Sequence, residues 1–247
     1  MAKSKINNLI QLKKELKILS NPKQAEILQR FFKTGKGEYG EGDIFLGVKV
    51  PIQRKVAVGF RGLSQKDIEK LLNSKIHEYR MTALLILIDQ YEKADEREKK
   101  MIFNFYIKSS ENINNWDLVD ISAPKIVGDY LMKKPRTVLY KFARSKNLWQ
   151  RRIAIISTFT CIRNNDFDDT LKISKMFLLD EHDLIHKAVG WMLREVGKRD
   201  QGIEEEFLKK YYLKMPRVML RYAIEKFDEK KRKFYLKSKF IIPKTVL

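Results

Sequence analysis

The stretch Gln150-Arg151-Arg152-Ile153-Ala154 decides the fold, because related stretches recur along the chain. Its alanine belongs to a series of small apolar residues separated by 36, 35, 34 and 35 residues: Ala83, Val119, Ala154, Ala188 and Ala223. A period of this length fits a unit of two helices. Such units stack, because one unit cannot bury its own apolar face. The repeat therefore predicts an all-α protein.

Apolar residues elsewhere also follow helical rather than alternating spacing, as in Ile68, Leu72 and Ile76. The 6 prolines and 11 glycines fall mostly between such segments, where they separate helices. No segment has the composition of a domain linker. We predict a single domain over residues 1–247, built of HEAT-like helical repeats that stack into a curved superhelix, a solenoid, with a concave basic groove.

The charge of the chain indicates a polyanionic partner. Its 247 residues include 51 Lys and Arg against 31 Asp and Glu, a formal net charge of +20, and such a surface attracts phosphate. A hydrophobic content of 44% excludes a disordered chain. The single cysteine, Cys161, cannot form an intrachain disulfide and indicates a reducing cytoplasm. Residues 1–20 lack the apolar core of a signal peptide or membrane span.

The stretch Asn114-Asn115-Trp116-Asp117-Leu118-Val119-Asp120 is the strongest candidate for chemistry. Either asparagine can cap a helix that begins at Trp116, and Trp116 and Asp120 then share one helix face. Asp120 has two interpretations: a functional acid beside the indole, or a cap for a helix that begins near Pro124. Asp117 lies in the first helical turn, where the helix dipole favours a negative charge, so a structural role suffices for it.

Two later segments combine tryptophan with cations. Trp149 is followed by Arg151 and Arg152, and the Arg152 guanidinium can hold a phosphate oxygen; a solvated arginine on a basic protein is the alternative. A second predicted helix carries two cations around an indole at i, i+4 and i+7: Lys187, Trp191 and Arg194. A face directed into a core would not normally hold two charges.

Other patterns have simpler explanations. Gly35-Lys36-Gly37-Glu38-Tyr39-Gly40 fits G-x-G-x-x-G, but it follows a predicted helix rather than a strand, so it is a loop and not a dinucleotide site. Lys49, close before Pro51, can contact a nucleic acid strand. His182 and His186 are four residues apart but lack the glutamate of a zinc-protease signature, so no metal site is expected.

Four ordered motifs occur along nearly the whole chain: Phe45-Leu46-Gly47-Val48-Lys49-Val50-Pro51, Trp116-Asp117-Leu118-Val119-Asp120, Trp149-Gln150-Arg151-Arg152 and, most specific, Lys187-Ala188-Val189-Gly190-Trp191-Met192-Leu193-Arg194-Glu195. Together they resemble the DNA alkylation repair family of bacterial 3-methyladenine DNA glycosylases, the HEAT-like-repeat enzymes known as AlkD. The resemblance implies that Asp120 is the catalytic aspartate, that Trp116 and Trp191 are the tryptophans of the cleft, and that Arg152 grips a phosphate.

The resemblance implies a hydrolase of base excision repair. It would release cationic alkylated purines, of the 3-methyladenine and 7-methylguanine type, from duplex DNA by hydrolysing the N-glycosidic bond. Asp120 would stabilise the oxocarbenium-like sugar and orient water. Arg151, Lys187, Arg194 and Lys49 are further candidate DNA contacts. We expect a cytoplasmic monomer that acts on double-stranded DNA containing alkylated bases, with no cofactor, metal ion or membrane partner.

Two positions depart from the family pattern. Asp183-Leu184 stands where some members have two aromatic residues, and Lys49 stands where a glutamine is found, so the range of lesions stays open. Two alternatives remain beside the glycosylase. One is a catalytically inactive HEAT-repeat protein that binds damaged or branched DNA through its basic groove. The other is a HEAT-type protein scaffold, which the repeated Arg and Lys positions argue against.

Overall fold

The computed structural model describes residues 8–237, which form two compact units; the first ends at Ser122 and the second begins at Ala123. Within residues 8–237 the regular structure is helical, apart from one isolated bridge between Ile44 and Ile76. The α-helices are α1 (Leu9–Ile18), α2 (Pro22–Phe31), α3 (Val50–Gly59), α4 (Gln65–Leu72), α5 (His77–Lys93), α6 (Glu96–Lys108), α7 (Trp116–Ala123), α8 (Thr137–Ala143), α9 (Leu148–Arg163), α10 (Asp168–Met176), α11 (Asp183–Gly197), α12 (Gln201–Tyr211), α13 (Arg217–Ala223) and α14 (Glu229–Lys237). The shorter helical segments in that range are Ser110–Asn112, Pro124–Gly128, Phe177–Leu179 and Ile224–Lys226.

Helix α5 is the centre of the first unit. Helices α3 and α4 both pack against it, and its 17 residues are buried nearly all round rather than along one stripe, which is typical of a core helix. Its first turn nevertheless holds charged side chains at 3%, 1% and 2% exposure: His77, Glu78 and Arg80. Buried charges are costly unless they are paired, so partners for these three side chains must lie close to this end of α5.

The second unit shows the repeat most directly. Helix α11 packs against both α9 and α13; α8 packs against α9, α12 against α11, and α10 against α9 and α11. Gly190 allows the close approach of α11 and α13, because a Cβ atom there would lie 2.4 Å from the Met219 carbonyl oxygen. Any larger residue at position 190 would push the two helices apart.

The helical repeat is confirmed. The five residues that define the period lie on α5, α7, α9, α11 and α13, and each of them is at most 1% exposed: Ala83, Val119, Ala154, Ala188 and Ala223. Small side chains at these positions let neighbouring helices pack closely. The organisation into one domain over residues 1–247 stays a prediction.

The segment after α7 differs from the sequence prediction. Instead of a new α-helix capped near Pro124, α7 is followed directly by the π-helical segment Pro124–Gly128. Ser122 does not cap a helix: its hydroxyl donates to the Leu118 carbonyl within α7 at 2.5 Å. Proline removes one backbone N–H and crowds the preceding turn, and a wider turn accommodates both effects.

The glycine-rich segment lies in a loop, and part of the N-terminal segment forms a helix. The segment 35–40 is part of the loop between α2 and α3, as predicted. Helix α1 covers Leu9–Ile18 of the apolar and charged N-terminal pattern, whose first seven residues lie outside the described residues. Along residues 8–237, none of the helices has the length and apolar character needed to cross a membrane.

A buried carboxyl group in the second unit makes stability depend on pH. Glu204, on α12, is 1% exposed, and its Oε1 has no hydrogen-bond partner. Burial and the neighbouring Glu205 raise the pKa of Glu204 to about 9, against the opposing charge of Arg194. Between its ordinary value of 4.5 and 9, the folded protein therefore holds a proton that the unfolded chain releases. Stability must fall as pH rises across this window.

Glu204→Gln is expected to stabilise the protein at pH 7 by up to about 3 kcal/mol, because the variant has no proton to lose on unfolding. Denaturant unfolding of both proteins at pH 5 and pH 8.5 measures the effect. The wild type should lose stability between these pH values relative to the variant. Glu206→Gln, on the exposed face of the same helix, is the matched control. Parallel pH profiles for wild type and Glu204→Gln would contradict the prediction.

Candidate functional site

Helix α7 carries Trp116 and Asp120 four residues apart. Asn115 precedes the helix, and its side-chain oxygen accepts a hydrogen bond from the Trp116 N–H at 2.8 Å. Asp117 Oδ1 accepts from the Leu118 N–H at 2.8 Å. Both bonds satisfy amides that have no partner within the first turn of a helix, and the predicted start at Trp116 is confirmed. Trp116 and Asp120 are half-buried, so each keeps surface for a ligand.

A buried phenol lies near Asp120. Tyr106 is fully buried, and its hydroxyl is 2.8 Å from Ser122 Oγ. Burial raises the pKa of Tyr106, the hydrogen bond with Ser122 opposes that rise, and the charge of Asp120 adds to it. The phenol is therefore neutral at physiological pH and adds no second negative charge beside Asp120.

A stack of four rings supports Trp116. The indole lies on Phe32 with ring centroids 5.2 Å apart and planes inclined by 19°. Phe32 lies on Phe45 at 5.1 Å, and the His77 imidazole contacts both phenyl rings, Phe45 at 4.5 Å and Phe32 at 5.1 Å. Phe31, 61% exposed, meets the indole edge-on at 6.0 Å. Aromatic pairs of this kind add about 0.5–1.5 kcal/mol each beyond the area they bury, so the indole has a firm support.

Two carboxylates hold the His77 ring at the end of this stack. Nδ1 is 3.1 Å from Asp43 Oδ2, and Nε2 is 2.8 Å from Asp117 Oδ2. Arg80 donates to the same Asp43 oxygen at 2.6 Å. Burial alone would lower the pKa of His77, but Asp117 and Asp43 outweigh burial and raise it to about 9. His77 is therefore an imidazolium that donates from both nitrogens.

The Glu78 carboxylate anchors the segment that carries Phe45. It accepts hydrogen bonds from three successive amides, those of Leu46, Gly47 and Val48, at 2.9, 2.8 and 3.2 Å. Gly47 has a φ of 81°, and a Cβ there would lie 2.1 Å from the Asn21 carbonyl oxygen. Only glycine fits this position. The motif at 45–48 thus follows from a buried anion that needs consecutive N–H donors.

In the second unit, the two arginines at the start of α9 bond within the protein. Arg152 is 5% exposed and donates from one terminal nitrogen to the Leu184 carbonyl at 2.6 Å. Arg151 Nε donates to Asp180 Oδ2 at 2.7 Å. Trp149 is 7% exposed and belongs to the core. The two guanidiniums therefore join the start of α9 to the segment that leads into α11.

Trp191, on α11, has its own anchor. The indole Nε1 donates to Glu195 Oε1 at 3.1 Å, and the ring lies tilted against Phe159 at 5.8 Å. Arg194 forms ion pairs with Glu195 and Glu225. The face that the sequence assigned to cations around an indole thus carries acids as well, and these acids fix both the indole and the guanidinium.

Lys187 on α11 and Lys49 at the start of α3, two predicted DNA contacts, differ in whether they form an ion pair with a neighbouring carboxylate of residues 8–237. Lys187 forms a 2.6 Å ion pair with Asp183 one turn earlier. Lys49 is exposed at the start of α3, and Arg54 and Lys55 are exposed further along that helix. Helix α3 therefore presents a cationic surface in the first unit. Sequence reasoning found its first member and missed the other two.

The remaining histidines and the cysteine serve the fold. His182 Nδ1 accepts from the Leu184 N–H at 3.1 Å and caps α11, and His186 Nε2 bonds to the Asp180 carbonyl oxygen. Cys161 is buried in α9, and burial raises the pKa of its thiol to about 11. Among residues 8–237 no group of three or more His, Cys, Asp or Glu side chains is arranged to hold a metal ion.

Comparison with known proteins gives the family. The model of the DNA alkylation repair enzyme family matches residues 12–227, a range that covers most of each unit and includes all four motifs. The chain belongs to the DNA alkylation repair enzyme family. Membership supports an enzyme role in alkylation repair and contact with DNA. A search of curated proteins found no match.

Solved structures show the same alkylation repair fold. A predicted DNA alkylation repair enzyme from Enterococcus faecalis is 18% identical, with a TM-score of 0.68 over 85% of this chain and 97% of that one. AlkD2 from Streptococcus mutans is 16% identical, with a TM-score of 0.53 over 90% and 97% of the two chains. The protein smu.31 from Streptococcus mutans UA159 is 17% identical, with a TM-score of 0.51 over 89% and 98%.

Several side chains that shape the site in this alkylation repair protein were missed or misplaced by sequence reasoning. Arg80, which the sequence analysis did not single out, is buried against Asp43. Asp117 does more than favour the helix dipole, since it pairs with His77. Three charged residues in one turn of an otherwise apolar helix were the signal that could have revealed this network, because buried charges require partners.

Proposed function

We propose that this protein is a DNA glycosylase that hydrolyses the N-glycosidic bond of cationic alkylated purines in duplex DNA. Family membership supports the class of reaction. The observation that carries the proposal is the pairing of Asp120 with Trp116 on α7: a carboxylate and a supported indole, both half-buried. A negative charge beside a π surface suits a positive transition state.

The proposed reaction does not require a general acid to protonate the leaving base. A purine alkylated at N3 or N7 is already cationic, so the bond from C1′ to the base nitrogen can break with its electron pair passing to the purine. The sugar then carries positive charge. Asp120 stabilises that charge and orients a water molecule, which adds to C1′ and gives up a proton to the Asp120 carboxylate. An indole that presents a π face to the cation adds about 0.5–2 kcal/mol; this part is proposed for Trp116 and, from the family resemblance alone, for Trp191.

DNA binding would draw on two kinds of cation. Lys49 is already exposed, as are Arg54 and Lys55 on the same helix, and these need no rearrangement to meet a phosphate. Arg151 and Lys187, by contrast, form ion pairs with carboxylates of the same chain. These two must exchange a carboxylate for a phosphate, as must Arg194, whereas Arg152 donates to a carbonyl. We propose, from the family resemblance, that the Arg152 guanidinium holds a phosphate oxygen.

The protein is proposed to work without a cofactor or metal ion, as a cytoplasmic monomer. None of the steps above needs a redox group or a Lewis acid, because the lesion supplies its own leaving group. The single cysteine is buried and suits a reducing compartment. Sedimentation of the protein alone and with a short duplex measures the number of chains in each complex.

Base release from methylated duplex DNA tests the proposal. The wild-type protein should liberate 3-methyladenine or 7-methylguanine and leave abasic sites, detected by chromatography of the free bases and by strand cleavage with alkali. Unmethylated DNA of the same sequence is the control. Salt-sensitive binding without release would support instead the catalytically inactive DNA-binding protein, and absence of both would overturn any role in DNA repair chemistry.

A further inference from the structure

We infer that His77 is a positioning residue for the Trp116 indole, acting through its hydrogen bond to Asp117 and through the ring stack that joins its imidazole to that indole. The inference rests on the proposed function, because it concerns the supposed π surface of the site. No motif in the sequence assigns His77 such a part. Its ring is 3% exposed and separated from Trp116 by Phe32, which contacts both rings, so it acts on a ligand only through the indole.

The first route from His77 to Trp116 runs along the backbone. Asp117 directly follows Trp116, and its Oδ2 accepts the His77 hydrogen bond at 2.8 Å. The other oxygen of Asp117 accepts from the Leu118 N–H. One carboxylate is thus tied both to α5 and to the first turn of α7. Any shift of His77 would move the start of α7, and with it the Cα atom that carries the indole.

The second route runs through the rings. The imidazole contacts both phenyl rings, Phe45 at 4.5 Å and Phe32 at 5.1 Å, and Phe32 in turn lies on the indole at 5.2 Å. Phe45 is fixed from behind by the amides that Glu78 holds. The stack therefore has a rigid end at His77 and an open end at Trp116. Two independent constraints meet at one indole, which is the arrangement that pre-organises a binding surface.

The charge of His77 matters to both routes. Three charged groups face the ring: Asp43 and Asp117 across its nitrogens, and Arg80, whose terminal nitrogen is 3.4 Å from Nδ1. A neutral imidazole could donate to only one carboxylate, and the other would lose its hydrogen bond from His77; Asp43 would still accept from Arg80. Deprotonation should therefore loosen the hold on either Asp43 or Asp117, and Trp116 should report the change.

Fluorine NMR of 5-fluorotryptophan-labelled protein tests the inference. The Trp116 resonance is assigned with Trp116→Phe and followed from pH 7 to pH 10. In the wild type it should shift with an apparent pKa near 9, the value expected for His77. In His77→Gln it should lie at a different position, be broader and show no such titration. Asp117→Asn, which keeps an acceptor for Nε2 but removes the charge, should lower the apparent pKa.

A functional readout accompanies the spectroscopic one. His77→Gln should lower the single-turnover rate of base release about ten- to hundredfold, as small displacements in a site do, with affinity for undamaged duplex DNA unchanged. Arg136→Gln breaks the ion pairs of Arg136 with Asp166 and Asp169 in the second unit and controls for lost stability. It should leave the Trp116 resonance in place.

Each outcome decides the inference. A His77→Gln protein that is folded and has an unchanged, equally sharp Trp116 resonance would overturn it. So would a shift of equal size in Arg136→Gln, because the effect would then reflect general destabilisation. If the wild type releases no base, the proposed glycosylase is wrong, yet the NMR result still determines whether His77 positions Trp116. A shifted resonance together with a slower rate supports both.

Discussion

Asp120→Asn is expected to lower the single-turnover rate of alkylpurine release by about 10²- to 10³-fold, the usual effect of removing one preorganised electrostatic group from a transition state. Asparagine keeps the size of the side chain, so α7 should fold unchanged. It carries no charge to balance the developing sugar cation. The rate is measured with excess protein on a duplex that contains a single 7-methylguanine.

The variant should bind DNA at least as tightly as the wild type, because a carboxylate near phosphates repels them. Slower release with unchanged or tighter binding therefore separates catalysis from recognition. Glu26→Gln is the matched control: it neutralises an exposed carboxylate on α2 that pairs with the exposed Arg30, and its rate should equal that of wild type. Equal rates for Asp120→Asn and the wild type would exclude Asp120 as the catalytic carboxylate.

Glu78→Gln is expected to lower the free energy of unfolding by about 2–4 kcal/mol, which would make it the most destabilising single-atom exchange proposed for this chain. The carboxylate accepts from three backbone amides. A glutamine oxygen can serve only part of that set, and its own NH₂ group would face N–H donors. Each buried donor left without a partner costs about 1–3 kcal/mol. Denaturant unfolding followed by circular dichroism measures the loss.

Glu41→Gln supplies the matched control for that experiment. Glu41 lies in the same loop region and also accepts from a backbone amide, that of Gly37 at 2.8 Å, but it is exposed to solvent. Water can replace the lost bond, so the cost should stay below about 1 kcal/mol. Similar costs for Glu41→Gln and Glu78→Gln would show that burial of the Glu78 carboxylate contributes little.

The fold was largely predictable, because a structural repeat produces a repeating pattern of residues in the sequence. Each unit must bury the same apolar face, so Ala154 and its counterparts return at nearly constant intervals. The segment around Pro124 was not predictable at the same level. A proline can start a new helix or widen the turn before it. Which of the two occurs depends on whether neighbouring residues, such as Ser122, already form hydrogen bonds within the preceding turn, and the sequence alone does not show this.

The candidate site was predictable only where its members share a helix. Trp116 and Asp120 follow from spacing alone. The supports of Trp116 do not: Phe32 and His77 lie on separate segments, and only folding brings their rings together. Arg80 was missed for a related reason. A cation is expected at the surface, but Arg80 donates to Asp43, a partner 37 residues away in the sequence.

The bond between Glu78 and the amides of residues 46–48 has a consequence for how this protein can diverge. An anion in a backbone cradle and the glycine that shapes the cradle form one inherited unit. Losing the anion removes the reason for the left-handed turn at Gly47, while replacing the glycine leaves the anion stranded. Among descendants of this chain, Gly47 and Glu78 should therefore be kept or lost together, and a mutational scan should find them epistatic.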